Sequence, residues 1–215
     1  MAIKGLTSPV VGDYNYEKEN NTVSYHSGVV AGSAVEYGAS WTTSEESKLY
    51  ADDKEKESDG GTFQSGELTL GTDDLTPEVS KFILGIKEIE KSYGEDKTAK
   101  VIVYDDDMKR APKGVGIIET HQLDGVPFYR AVVFPKVKFN IPENAATTKG
   151  ETVEWQTPSI TGSIMRSDEV SENGNHPWQW FSDFESESAA LEFLEDVLGV
   201  GVEAPLSVTS EQAEG

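Results

Sequence analysis

The chain has 215 residues, no cysteine, and 39 acidic against 18 basic side chains, a formal charge of −21. That composition excludes disulfides, thiolate chemistry and Cys-ligated metal sites. It also argues against tight nucleic-acid binding, which works by replacing phosphate counterions with Lys and Arg. Hydrophobic residues make up only 36 %, yet eight Phe, eight Tyr and four Trp supply the apolar surface of one substantial core.

Met1 to Tyr14 carries no apolar stretch of the signal-peptide kind, and no run approaches the roughly 18 apolar residues of a membrane helix. The expectation is a soluble protein made in a cytoplasm. Short runs rich in Val, Ile, Tyr, Thr and Phe, bounded by Gly, Asn and Asp, predict strands over Thr22 to Ser27, Ser33 to Trp41 and Gly61 to Gly71. Between the last two lies Thr42 to Gly60, a hydrophilic segment with seven acidic and three basic residues. A loop of that length is uncommon in a compact domain and tends to be functional or disordered. It reads either as a solvated hairpin tip or as a loop that orders on a neighbouring subunit.

Thr76 is placed to cap a helix, with Pro77 at its first position and Glu78 in its first turn. Val79, Phe82 and Ile83 then fall on one side before Gly85 stops it. Further strands are predicted over Lys100 to Tyr104 and Gly114 to Gln122, with Gly114 and Gly116 read as turn glycines. Val126 to Phe139 alternates over most of its length, and Pro135, which lacks a ladder donor, predicts a bulge or an edge there. Glu151 to Arg166 changes phase at Pro158 and reads as a kinked strand. Ser186 caps a second helix whose stripe of Ala190, Leu191, Leu194, Val197 and Leu198 ends at Gly199 and needs an apolar surface to lie on. These elements place one domain over 1–199, followed by a flexible acidic arm over 200–215. The fold class expected is mainly β.

No catalytic signature survives its context. Tyr50 to Lys54 and Tyr93 to Lys97 match a Tyr-x-x-x-Lys spacing, but no glycine-rich strand-to-helix fingerprint precedes them. His26, His121 and His176 lie far apart, and none has a second His at i+4 to present two imidazoles to one metal. Asp105, Asp106 and Asp107 lack the alternate spacing of a calcium loop and read as a solvated turn. Neither enzyme chemistry, a metal nor a cofactor is expected. The run His176 to Phe181 is different in kind: Trp178, Trp180 and Phe181 could fill a core beside the last helix or stack on sugar rings. The second possibility corresponds to a carbohydrate-binding β-sandwich on a virion or cell surface. Charge is uneven as well, since no Lys or Arg follows Arg166 whereas twelve acidic residues do. Acidity of this kind serves solubility, or a surface along which DNA slides without sticking.

Several segments, in order, carry a family resemblance. They are Met1 to Leu6 (Met-Ala-Ile-Lys-Gly-Leu), Tyr37 to Trp41, Leu49 to Asp52 and the run Leu70-Gly71-Thr72-Asp73-Asp74-Leu75. Gly116 to Glu119, Phe134 to Val137, Glu154 to Thr157 and His176-Pro177-Trp178 follow. The chain resembles the major tail protein, or tail tube protein, family of long-tailed phages of Gram-positive bacteria, up to about Gly199. The resemblance implies a β-sandwich or barrel-like fold with a short flanking helix and a C-terminal helix. It also implies hexameric rings that stack into a hollow tube for genome delivery, with long loops and terminal arms bridging successive rings. On that basis Lys48, Leu49, Tyr50, Asp52 and Asp53 are inter-ring loop candidates. Glu67, Glu119 and Glu154 are candidates for an acidic lumen. The implied partners are further copies of this chain, other tail proteins (tape measure, tail terminator and distal tail) and duplex DNA in transit. The implied location is the virion tail, assembled in the host cytoplasm.

Overall fold

The computed structural model describes residues 3–45, 47–51, 54–73, 76–94, 96–106, 108–142 and 158–204. In chain order the first strands are β1 (Ile3–Glu17), β2 (Thr22–Val30), β3 (Ala34–Thr43), β4 (Ser47–Ala51), β5 (Lys54–Asp59) and β6 (Phe63–Thr72). After α1 (Pro77–Leu84) come β7 (Lys87–Tyr93), β8 (Lys97–Val103), β9 (Lys113–Leu123), β10 (Val126–Phe139), β11 (Ser159–Met165), β12 (Trp180–Phe184) and α2 (Glu187–Val197). The protein is mainly β, antiparallel and sandwich-like. Its main sheet runs β2–β1–β9–β10–β11–β6–β3, with β12 also paired to β10, while β4–β5 and β7–β8 are separate hairpins.

Strand β10 turns one sheet into two layers. Its residues Tyr129 to Val133 pair with β12, and Lys136 to Phe139 pair with β11 along the same edge. Pro135 stands at the changeover, where the register to β9 also shifts between Phe134 and Val137. The missing N–H of proline thus falls where the ladder changes partner, as the sequence leads one to expect. The β9–β10 turn is Asp124-Gly125, both with positive φ (51° and 87°). That is the geometry a two-residue hairpin with right-handed strand twist demands.

The layers enclose a first core that includes Leu68, Leu70, Ile83, Ile117, Phe134, Phe139, Ile160 and Ile164. A second core lies on the other face of β1, β9 and β10, where Ala190, Leu194 and Leu198 cover Val10, Ile118, Ala131 and Val133. Successive strand residues point to opposite faces, so Ile117 and Ile118, or Val132 and Val133, serve different cores. Both helices form where the caps predict them. Thr76 accepts from the Val79 amide at 3.3 Å, and Gly85 closes α1 at φ 64°. Ser186 accepts from the Ala189 amide at 3.3 Å, and the stripe that needed a surface rests on the second core.

Several expectations need correcting. Gly114 and Gly116 are not turn glycines: they lie within β9, and a Cβ on Gly116 would stand 2.7 Å from Leu194 and 2.9 Å from Leu198. They let α2 approach the sheet. The 15-residue β1 has no counterpart in the sequence reading, because Gly5, Pro9 and Gly12 break its alternation and its ladder to β9 shifts register between Thr7 and Val10. Of the two readings of Thr42 to Gly60, the hairpin is the one present: β3 runs to Thr43 and the β4–β5 hairpin follows. The start of the expected flexible arm is tied down. The amide of Gly28 bonds the Gly199 carbonyl at 2.9 Å, and that of Ser27 bonds the Val202 carbonyl at 2.7 Å. Residues 205–215 and the first half of the predicted kinked strand, 151–157, lie outside the described residues.

Candidate functional site

One layer of the sandwich is covered on its inner face only. On β6, Leu68 and Leu70 point into the first core while Ser65, Glu67 and Thr69 point out. Their cross-strand partners share that outer face: Thr42, Ser40 and Gly38 on β3, Thr161 and Ser163 on β11. Glu36 and Ser159 extend it beside Gly71. The face is therefore built mainly of short hydroxyl and glycine positions with two carboxylates, and it ends on β11 at the exposed Met165; β3, β6 and β11 contain no Lys or Arg. The first base across it is Lys138, opposite Ser163 on β10. At its outer limit β3 is the terminal strand of the sheet, with no strand paired to its far edge among the described residues. The β3–β6 ladder is prolonged at one end by the Ser44 amide bonding the Thr62 carbonyl at 2.8 Å, and the β4–β5 hairpin continues from there.

The predicted residues fall unevenly on this frame. Lys48, Leu49 and Tyr50 are on β4, whereas Asp52, Asp53 and Glu154 lie outside the described residues. Glu67 is exposed at the middle of the outer face. Glu119 is not at any surface of the chain: it is 5 % exposed, accepts a hydrogen bond from the Tyr37 hydroxyl, and lies 2.7 Å from Nε2 of His121. His121 in turn stacks on Phe128 at 5.1 Å. Burial, and next the bond to Glu119, push the Tyr37 hydroxyl well above the usual phenol range. Glu119 thus joins two strands from inside the protein, and as a lumen residue it is withdrawn. Its position on a strand buried on both faces is the reason, which alternation alone does not reveal.

The aromatic run does not make a platform. Trp178 stacks on Phe63 (4.6 Å, 5°) and meets Trp41 at 4.8 Å, against the first core. Trp180 turns to Phe193 of α2 at 5.9 Å, beside the second core. Phe181 is 56 % exposed beneath the Arg130 guanidinium, 4.2 Å from its ring centre. The three rings have three surroundings, so a flat sugar-stacking surface made of them is absent.

Two ion pairs tie β10 to the C-terminal segment. Arg130 holds Asp183 through two bonds of 2.7 and 2.9 Å, and this pairing keeps the Asp183 carboxyl below the usual range. Lys136 reaches Asp168 at 2.5 Å. Burial alone would raise the Asp168 pKa, but the bonds from Lys136 and Tyr14 outweigh it and hold the group low. The histidines are dispersed, with His176 Nδ1 2.9 Å from the Ser167 carbonyl oxygen and His26 4.0 Å from Asp13. Among the described residues no group of three or more His, Cys, Asp or Glu is arranged to hold a metal, and no helix is long and apolar enough to cross a membrane.

The chain matches no protein-family model, and no curated protein matches it. Glu36 is the surface carboxylate that sequence reasoning missed. The signal was available, because Tyr37 and Ala39 point inward and place Glu36, Gly38 and Ser40 on the opposite face.

Proposed function

We propose that the protein is the structural subunit of a phage tail tube, assembling as stacked rings around a lumen lined by the outer face of β3, β6 and β11. The observation that carries this reading is that face itself: mainly short and polar, without Lys or Arg on its three strands, and ending in a strand edge with no strand paired to it among the described residues. An open edge is an aggregation hazard, which pairing to the next copy in a closed ring removes. A wall of Ser, Thr, Gly and Glu offers a polyanion no counter-charge to grip. At physiological salt the Debye length is about 8 Å, so carboxylates on the wall act only on DNA that approaches closely and keep it mobile. The β4–β5 hairpin continues beyond the wall by five residues of β4, on the order of 17 Å at about 3.3 Å per residue, and supplies the contact to the next ring. Six subunits per ring, and the tape measure, terminator and distal tail proteins as partners, follow from the resemblance. The work described needs no catalytic group and no cofactor.

Electron microscopy of the purified protein over a range of concentrations tests the assignment. Rings or tubes are expected, and a strict monomer at every concentration and salt overturns it. Within particles, Glu67→Lys should leave tubes intact and reduce genome delivery. Normal infectivity of that variant removes Glu67 from the lumen. A gel shift of duplex DNA by the unmodified protein near physiological salt defeats the conduit argument even where tubes form.

A further inference from the structure

The bases of this acidic chain are not scattered evenly, and the β7–β8 hairpin carries four of them. Cross-strand pairs sort its residues onto two faces. Glu88, Glu90, Lys100 and Ile102 share one, and this is the side tied to the body, where Ile102 packs on the first core and Glu88 bonds Lys81 of α1. The opposite face holds Lys87, Ile89, Lys91 and Tyr93 with Lys97, Ala99, Val101 and Val103 and no acid of the hairpin itself, although Lys87 reaches Asp105 at 3.7 Å. Ile89 is 46 % exposed and Tyr93 57 %. Lys91 and Lys97 are exposed and flank Tyr93, which is directly opposite Lys97 near the turn. Such an uncovered surface, apolar and cationic at once, is unusual on a chain of net charge −21.

Its counterpart lies on the far side of the molecule. Residues 167–204 contain ten carboxylates and no Lys or Arg. Within this region a cleft of about 500 Å³ opens beside α2, lined by Tyr25, Trp180, Phe193 and Val197 with Glu169 and Asp196. No base lines it. The hairpin packs on the first core and α2 forms the second, so the sheet β1–β9–β10 separates the two surfaces. One copy cannot bring them together.

We propose that the outer face of the β7–β8 hairpin, through Lys91, Tyr93 and Lys97, docks into the acid-rimmed cleft beside α2 of a second copy of this chain. Two copies at −21 repel each other, and a contact between patches of opposite sign offsets that repulsion where they meet. This pair of patches is matched in charge and in apolar groups as well: aromatic cleft walls accept Tyr93 and the lysine stems, while Glu169 and Asp196 meet the ammonium groups. The contact joins unlike surfaces, so it is heterologous and repeats from copy to copy, closing into a ring or extending into a filament. The proposal rests on the tube-subunit reading for its context, and it specifies which surfaces meet.

The test uses two full-length variants, Lys91→Glu/Lys97→Glu and Glu169→Lys/Asp196→Lys, assayed by light scattering and microscopy alone and mixed. Each alone should lose assembly, with an apparent Kd raised on the order of 100-fold. Mixed in equal amounts they should assemble again, because each variant's hairpin then fits the other's cleft. Recovery in the mixture shows that both variants fold. If the unmodified protein assembles and either variant does so equally well, or the mixture stays dispersed, the proposal is overturned and the tube reading stands. An unmodified protein that never assembles overturns both.

Discussion

The ribbon β1–β9–β10 and the layer β3–β6–β11 are both antiparallel sheets, yet the first is buried on two faces and the second on one. In the ribbon, Ile117 and Phe134 serve the first core while Ile118 and Val133 serve the second beneath α2. In the layer, Leu68, Leu70, Ile160 and Ile164 point into the first core together with Phe63, Tyr37 and Ala39, and Ser40, Glu67, Thr69 and Ser163 stand opposite them with no helix above among the described residues. The difference teaches where the buried apolar contacts are concentrated and which face keeps its side chains exposed. A doubly covered strand has no residue to spare for a partner, whereas a singly covered sheet keeps a whole face for one.

The sharpest way to break the comparison is a cavity in the ribbon. Phe134→Ala removes a ring that is 0 % exposed and touches Tyr37 and Trp41, and it should destabilise the fold by about 3 to 5 kcal/mol. Chemical denaturation checks it, and a loss below about 1 kcal/mol would mean that the first core is not the centre of stability. Next in size, Gly12→Ala drives a Cβ against the Leu198 carbonyl, a backbone group that cannot rotate away. Overpacking of this kind costs about 1 to 3 kcal/mol, and hydrogen exchange should show α2 loosened before the rest. Ser186→Ala removes the cap of α2 and should cost about 1 kcal/mol. By contrast, Ser163→Ala on the outer face of the layer should fall within about 0.5 kcal/mol of the parent. A large loss there would contradict the description of that face as uncovered.

The smallest effect is on pH dependence. The Asp183 carboxyl is held below its ordinary value by Arg130, so this pair stabilises the protein at pH above the unfolded Asp value of about 3.9. Its contribution is lost as pH falls through the lower folded value. Asp183 is 45 % exposed, and screening limits the worth of the pair to roughly 0 to 1 kcal/mol. Asp183→Asn should therefore reduce stability slightly at neutral pH and make no difference in strong acid. A variant as destabilised in strong acid as at neutrality would show that the residue acts through packing and not through charge.

Local chemistry was enough to read much of this molecule from its sequence. Both helices follow from residues that satisfy their own backbone: Thr76, Pro77 and Gly85 for α1, Ser186 and its apolar stripe for α2. The changeover at Pro135 follows from a missing N–H, and the mainly β class from alternation bounded by turn residues. What tertiary structure decided is which neighbour each strand meets. β1 is held by ladders to β2 and β9 that its Gly- and Pro-broken pattern does not announce. Gly114 and Gly116 look like turn residues until α2 is seen lying on them. Glu119 and Glu67 are the same residue type on strands, and only the covering of both faces of β9 sends one inside, while the other stays exposed on β6. Likewise, the bases of the β7–β8 hairpin and the acids beside α2 are visible in sequence, and only the fold sets them on surfaces that the sheet separates. The reason is physical: caps and turns are settled within a few residues, whereas burial and charge matching depend on partners far along the chain or on another chain.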